Sequence, residues 1–203
     1  MAIYLHQGDL PANVTFDGDI AVDTEAMGLN NHRDRLCLVQ LSDGKGDEHL
    51  VQFAPGVFNA PNLCALLTDP SRVKLFHFAR FDIAILKQYL GVVTAPIYCT
   101  KIASRLTRTY TDRHGFKDLC REVISVEVSK QQQSSDWGQP TLTPEQQEYA
   151  ASDVRHLHRL REKLDVMLAR EGRTDYAKAC FEFLPTRAQL DLAGWPEIDI
   201  FAH

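Results

Sequence analysis

Residues 20–25 read IAVDTE: three apolar residues run into Asp23, and Glu25 follows two positions later. Side chains at i and i+2 of a strand point to the same side. Asp23 and Glu25 therefore project together from one face, close to where a buried strand ends. Two carboxylates held side by side repel, and each resists ionising beside the other. A cation between them removes that conflict, and oxygen-rich, thiol-free clusters suit Mg2+ or Mn2+. A D-x-E pair can also simply end a strand at the surface. The rest of the chain has to decide between the two.

On the N-terminal side, residues 1–18 hold Pro11, Asn13 and two glycines, which predicts a lead-in strand and turn. On the other side, residues 28–34 are polar and turn-rich. Residues 35–41 (RLCLVQL) and 48–53 (EHLVQF) read as strands, joined by a turn over 42–47 that contains Gly44 and Gly46. Such close spacing predicts an antiparallel meander of three strands. A short helix follows over 60–67, stopped by Pro70, then a fourth strand over 73–78 (VKLFHF). A helix over 81–90 ends at Gly91, a short strand covers 97–100, and helices cover 101–107 and 116–124.

The longest predicted helix runs from 144 to about 170. Thr143 is its N-cap, Pro144 its first residue, and Gln146 completes a capping box. Val154, Leu157, Leu160, Leu164 and Met167 or Leu168 recur at spacings of three and four, so one face is buried. A last helix covers roughly 175–192. Three antiparallel strands followed by helix–strand units predict an α/β fold around one mixed sheet, flanked by helices. No repeat or linker divides the chain, so residues 1–203 are expected to form a single domain.

Hydrophobic residues make up 44% and charged residues 24%, as in a soluble globular protein. No apolar run approaches the ~20 residues of a membrane span, so no membrane partner is expected. The N-terminus lacks the basic start and apolar core of a signal peptide. The five cysteines are scattered, mostly among apolar neighbours, and read as reduced residues of a cytoplasmic protein. The formal charge of -5 argues against a protein that coats long nucleic acid. It is compatible with a small, local basic site.

Two further acidic positions fall where this sheet would place them. Asp82 lies just past the fourth strand, at the start of a helix. If that strand pairs with the first, Asp82 sits near Asp23, although a helix dipole alone also favours an acid there. Tyr149 and Asp153 are four apart and share one helix face, and Leu157 continues the stripe. A buried acid needs a partner or a metal. Tyr149 has the plainer alternative of a core tyrosine bonded to a neighbour.

Taken together, Asp23-x-Glu25, Asp82 and Tyr149-x-x-x-Asp153 resemble the three motifs of the DEDD 3′→5′ exonucleases, in the tyrosine-bearing subgroup typified by RNase D. Residues 76–86 (FHFARFDIAIL) resemble the second motif, and residues 117–153, with KDL, SSDW and LTPEQQEYAASD, the segment that ends in the third. The resemblance implies the RNase H-like exonuclease fold. RNase D carries helical nucleic-acid-binding domains after its catalytic domain, for which this chain has no room. Residues 99–115, 129–137 and 194–203 instead resemble the compact, stand-alone oligoribonucleases of the nanoRNase C type.

By that resemblance Asp23, Glu25, Asp82, Tyr149 and Asp153 are the catalytic residues. The four acids hold two divalent ions, Mg2+ or Mn2+, that lie ~4 Å apart and clamp the scissile phosphate. Asp23 bridges both ions, Glu25 and Asp153 complete one site, and Asp82 supports the other. A free tyrosine with a pKa near ~10 is a poor base, so Tyr149 is expected to aim the attacking water. The implied substrate is short RNA, dinucleotides above all, with DNA 3′ ends as another candidate, and the product a nucleoside 5′-monophosphate. The implied assembly is a homo-oligomer, an octameric ring. Leu190, Leu192, Trp195, Ile198, Ile200 and Phe201 make the C-terminal tail apolar, so it either folds back on its own core or packs on another subunit, and the resemblance favours the subunit contact.

Substrate contacts are read from position and charge. Leu29, with Met27 beside it in DTEAMGL, resembles the leucine that dinucleotide-cleaving oligoribonucleases wedge between two bases. Its alternative is packing under its own loop. Lys101, Arg105, Arg108, Arg113 and Lys117 face only Asp112 within their segment, which marks a candidate phosphate-binding stretch. His114 and Lys130 are further candidates. His77 reads as a histidine bonded behind the site. Trp137 is either a base platform or a core residue, and His156 and His158 read as solvent or interface residues. Two other functions stay open: general RNA trimming or DNA-end exonuclease activity, and a nucleic-acid-binding module without catalysis.

Overall fold

The structure, a computed structural model, describes residues 2–129 and 131–202. Its centre is a six-stranded mixed sheet built from β1 (Ile3–Gln7), β2 (Ile20–Ala26), β3 (Leu36–Ser42), β4 (Glu48–Gln52), β5 (Lys74–Phe76) and β6 (Ile97–Cys99). The order is β1-β4-β3-β2-β5-β6. β2, β3 and β4 form the expected antiparallel meander. β5 pairs parallel with β2, with Ile20 opposite Lys74 and Ala21 opposite Leu75. β6 extends the parallel half, and the lead-in strand β1 is a parallel edge on β4.

The apolar start of IAVDTE is what seats β2 between β3 and β5. Ile20, Ala21 and Val22 are fully buried, as is every residue of β3. Strands buried on both faces lose alternation and read as continuous apolar runs. Asp23 stands opposite Gln40 and Glu25 opposite Leu38, and the register slips between Glu25 and Ala26. The ladder thus becomes irregular just past the two acids, a common arrangement next to functional sites.

Helices α1 (Pro61–Thr68), α2 (Ala79–Leu90), α3 (Thr100–Thr107), α4 (Phe116–Ile124), α5 (Pro144–Arg155), α6 (Leu157–Arg170) and α7 (Thr174–Leu192) surround the sheet. The helix expected over 144–170 is in fact two. It breaks at His156 (φ -107°, ψ -3°). The partners explain the break: α5 lies on β1–β4, whereas α6 turns to pack on α3, α4 and β5. One straight helix could not follow both surfaces. The capping box is present, with Gln146 N–H on Thr143 Oγ1 at 3.2 Å and Thr143 N–H on Gln146 Oε1 at 2.9 Å.

The fourth strand is also shorter than expected. Phe78 takes a left-handed conformation (φ 66°), so the chain leaves the ladder after Phe76 and α2 begins at Ala79. A main core fills the space between the sheet and α1, α2, α3, α4, α6 and α7. A smaller one, with Leu38, Leu50, Trp137, Leu142 and Ala150, lies under α5. All five cysteines are free. No helix among the described residues is long and apolar enough to cross a membrane.

Candidate active site

β2 and α5 bring three acids together. One carboxylate oxygen from each of Asp23, Glu25 and Asp153 lies within 4.8 Å of the others. Asp82 comes from the first turn of α2 and is 4% exposed. By strand alternation Thr24 points to the opposite side from Asp23 and Glu25. There its hydroxyl donates to Asp82 Oδ1 at 2.7 Å. The fourth acid is therefore fixed to the same strand as the first two, and close enough for their charges to interact.

The cluster is electrostatically incomplete. Burial pushes the Asp23 carboxyl up to about 7, opposed by a hydrogen bond from the Thr24 backbone. Glu25 is pushed well above the carboxylate range by burial, then by Asp23, Asp153 and Asp82. Burial and then Asp23 do the same to Asp82 and Asp153. No lysine or arginine forms an ion pair with any of the four among the described residues. Buried charges without partners are costly. An all-carboxylate set without sulfur or imidazole is the donor chemistry of a hard divalent cation, so the residues present fit Mg2+ or Mn2+.

Tyr149 sits one turn before Asp153 on α5 and donates its hydroxyl to it. Burial, then Asp153, Glu25 and Asp23, push the phenol above its ordinary range, so it stays protonated. Its ring lies 6.0 Å from that of Trp137, which is buried. Trp137 is thus a nearly buried residue packed against Tyr149, although it borders the same cleft as the acids.

The acids form the floor of a cleft of about 540 Å3. Its walls include Met27, Leu29, His77, Phe78, Phe81, Phe116 and the segment 133–135. Leu29 does not pack under its loop: it is 86% exposed, and Met27 is 52% exposed. The loop is braced instead by Asp34, whose carboxylate accepts Asn30 N–H at 2.9 Å and Arg33 Nε–H at 2.6 Å. A Cβ on Gly28 would lie 2.4 Å from Asp34 Oδ2, so this close approach requires glycine. His77 is held from behind. Thr100 Oγ1 gives its proton to the Phe76 carbonyl at 3.1 Å, so it accepts from His77 Nδ1 at 2.9 Å. That bond sets the histidine tautomer.

Of the basic candidates, Arg108 does not face solvent. Its side chain is 1% exposed. Nη1 donates to Ser104 Oγ at 3.1 Å and to the Arg113 carbonyl at 2.8 Å, and Nη2 pairs with Glu122. It braces the turn after α3, and its Nε, without a hydrogen-bond partner among the described residues, is buried away from solvent. His114 Nδ1 is 2.9 Å from Ser104 Oγ, and neither His114, Arg113 nor Lys117 lines the cleft. Lys130 lies outside the described residues. His156 marks the helix break, and His158 Nε2 is 3.0 Å from the Asp19 carbonyl.

Lys101 and Arg105 are better placed than Arg108. They line a second cavity of about 290 Å3 with Phe78, Ile102 and Phe183, and Phe78 also borders the cleft. Lys101 Nζ sits 3.9 Å from the centre of the Phe78 ring. Phe78 is 46% exposed in its left-handed conformation, an outlier of the kind that gathers at functional sites. It is not legible in the sequence, because no local signal marks a phenylalanine for positive φ. Phe81, Phe116 and residues 133–135 are not legible there either. They reach the cleft through tertiary packing alone.

Comparison with known proteins bears on this arrangement. The model of a 3′-5′ exonuclease family matches residues 9–169. Ribonuclease D of Gluconacetobacter diazotrophicus is 35% identical over 158 residues, covering 77% of this chain and 39% of that protein. The chain thus spans about two fifths of the length of this curated relative. NrnC of Brucella melitensis, solved with pGG bound, is 55% identical with a TM-score of 0.97, covering 100% of this chain and 99% of that one. Its structure with bound Mg2+ is 54% identical with a TM-score of 0.96, covering 100% of both chains. Escherichia coli RNase D is 28% identical with a TM-score of 0.73, over 88% of this chain and 48% of that one. The mixed sheet with its antiparallel meander is accordingly the RNase H-like exonuclease fold.

Proposed function

The chain belongs to the 3′→5′ exonuclease family, and from that premise we propose that it is a divalent-metal-dependent exoribonuclease. Its substrates in this reading are very short RNAs, dinucleotides above all, and its products nucleoside 5′-monophosphates. The observation that carries the proposal is the convergence of the half-buried Asp23, Glu25 and Asp153, without an ion-paired lysine or arginine among the described residues, on the floor of a cleft rimmed by an exposed leucine. Two bound ions, Mg2+ or Mn2+, would supply charge neutralisation at the scissile phosphate and activation of water. Asp23, Glu25 and Asp153 would hold one and Asp82, with Asp23, the other. The neutral Tyr149 hydroxyl orients the attacking water and leaves its activation to the ions.

Leu29 and Met27 meet the bases at the exposed rim, and His77 lines the same cleft. Lys101 and Arg105, next door past Phe78, attract the remaining phosphate. The pGG of the Brucella relative, by its notation two guanosines and a 5′ phosphate, supports a ligand of this size. The preference for short substrates also fits a net charge of -5, which disfavours long polyanions. The exposed Trp195, Ile198, Ile200 and Phe201 support a tail that packs on the next subunit of a homo-oligomer, in this reading an octameric ring.

The test is a comparison of initial rates on two-nucleotide and twenty-nucleotide RNA in Mg2+ or Mn2+. A strong preference for the dinucleotide supports the proposal. Equal rates make the protein a general trimming exonuclease, and no metal-dependent cleavage of either makes it a binding module.

A further inference from the structure

We propose that Gln40 is a positioning residue for the metal site, with its side-chain amide aiming the Asp23 carboxylate. This rests on the proposal that Asp23 holds a divalent cation. Gln40 stands directly opposite Asp23 in the β2–β3 ladder, so both side chains leave the same face of the sheet. It is completely buried, within a strand whose other residues are also buried. Its Nε2 donates to Asp23 Oδ2 at 3.4 Å. Charge fixes that orientation, since the flipped amide would turn its carbonyl oxygen toward a carboxylate.

The other half of the amide is the informative part. Gln40 Oε1 is buried and has no hydrogen-bond partner among the described residues. Folding alone gains nothing from this arrangement. Leu38 on the same strand packs into the small core under α5, and a leucine at position 40 would satisfy the same core without a stranded carbonyl. A glutamine is useful where one carboxylate oxygen of Asp23 must be tethered. The other oxygen is then left to turn toward Glu25 and Asp153. Residues that hold a ligand in this way typically change metal affinity by about 10–100-fold when removed.

The experiment uses the full chain with Gln40→Leu and, as a second variant of similar length without donor or acceptor, Gln40→Met. Mn2+ binding is measured by isothermal titration without substrate, and melting temperature is measured in EDTA. Dinucleotide turnover is then followed across Mg2+ concentration. Binding of Mn2+ by the wild type, and its loss in Asp23→Ala, tests the metal-site proposal separately. The expected result for Gln40 is Mn2+ affinity weakened by about 10–100-fold, a metal-free melting temperature equal to or above wild type, and kcat restored largely by excess metal with KM little changed. Unchanged metal affinity in both variants would overturn the inference. So would a fall in metal affinity that merely follows a lowered melting temperature, which is a structural role.

Discussion

The Thr24 hydroxyl donates to Asp82 Oδ1 at 2.7 Å, and so ties the helix that carries the fourth acid to the strand that carries the first two. Thr24 is the middle residue of D-T-E, and alternation sends it to the far side of β2. The D-x-E spacing thus leaves the intervening residue free to recruit α2. Thr24→Val keeps the shape and removes the donor, leaving the buried Asp82 with one bond fewer. Hydrogen bonds to charged groups contribute about 1.5–3 kcal/mol, which corresponds to roughly 10–100-fold in rate if the loss falls on the transition state. Dinucleotide turnover should fall by that order in Thr24→Val and be retained in Thr24→Ser. Equal activity of the two variants would remove Asp82 placement from the mechanism.

Metal and pH should be linked through the acidic cluster. Asp23 is raised to about 7, and Glu25, Asp82 and Asp153 are raised well above their ordinary values. An unfolded carboxyl releases its proton near ~4, so between there and about 7 the native state binds more protons than the unfolded one. Stability from this cluster therefore falls as pH rises through that window. His6, His49 and His156, whose values are lowered by burial, oppose the trend in part of the same range, so the comparison must be a difference. In EDTA, Asp23→Asn should gain melting temperature relative to wild type between pH 5 and pH 8. Mg2+ should raise the wild-type melting temperature more at pH 8 than at pH 5. Thermal melts at the two pH values check both signs.

Leu29 separates binding from folding. At 86% exposure it contributes little to the core, and its loop is held by Asp34 rather than by its own side chain. Leu29→Ala should change stability by no more than about 0.5 kcal/mol, the usual range of surface substitutions. KM for a dinucleotide should rise about tenfold or more if the side chain sits between bases. Calorimetry and steady-state kinetics together decide, and a large stability loss with unchanged KM would contradict the assignment.

The sheet and the acids were legible because short-range rules govern them. Continuous apolar runs gave β2 and β3, glycine turns gave the meander, and fixed offsets gave Asp23 with Glu25 and Tyr149 with Asp153. The apolar stripe through Val154 and Leu157 was legible too, but not the break at His156, which depends on α5 and α6 having different partners. The cleft walls were the least legible. Phe78 depends on a backbone conformation that phenylalanine rarely adopts, and Gln40 on a cross-strand register. Charge also misled at Arg108, since a cationic residue in a basic segment can equally be a buried brace.

That last point gives a paired prediction. Arg108→Ala leaves Glu122 with Arg121 alone and takes a donor from the buried Ser104 hydroxyl and the Arg113 carbonyl, so it should destabilise the fold. Glu122 is 31% exposed, which keeps the loss below the ~3–5 kcal/mol of a fully buried pair, on the order of 2–3 kcal/mol. Lys101→Ala and Arg105→Ala leave no such debt in the core. They should raise KM for a 5′-phosphorylated dinucleotide with little change in melting temperature. A melting curve and a KM for each variant distinguish brace from binder. Arg108→Ala with normal stability and a raised KM would return it to the substrate site.

Tyr149 offers the sharpest test of how water is activated. Its phenol is pushed above its ordinary value by burial and by Asp153, Glu25 and Asp23, so it carries its proton at neutral pH. A neutral hydroxyl can position water but cannot act as a general base. Tyr149→Phe keeps the ring against Trp137 and removes only that hydroxyl. Turnover should fall by about 10²–10⁴-fold, the usual size of a positioned acid–base group, with KM little changed. The shape of the pH–rate profile should not change, because no limb of it belongs to the tyrosine. A wild-type alkaline limb that disappears in Tyr149→Phe would instead show that the phenol ionises during turnover, and the positioning role would have to be given up for one in proton transfer.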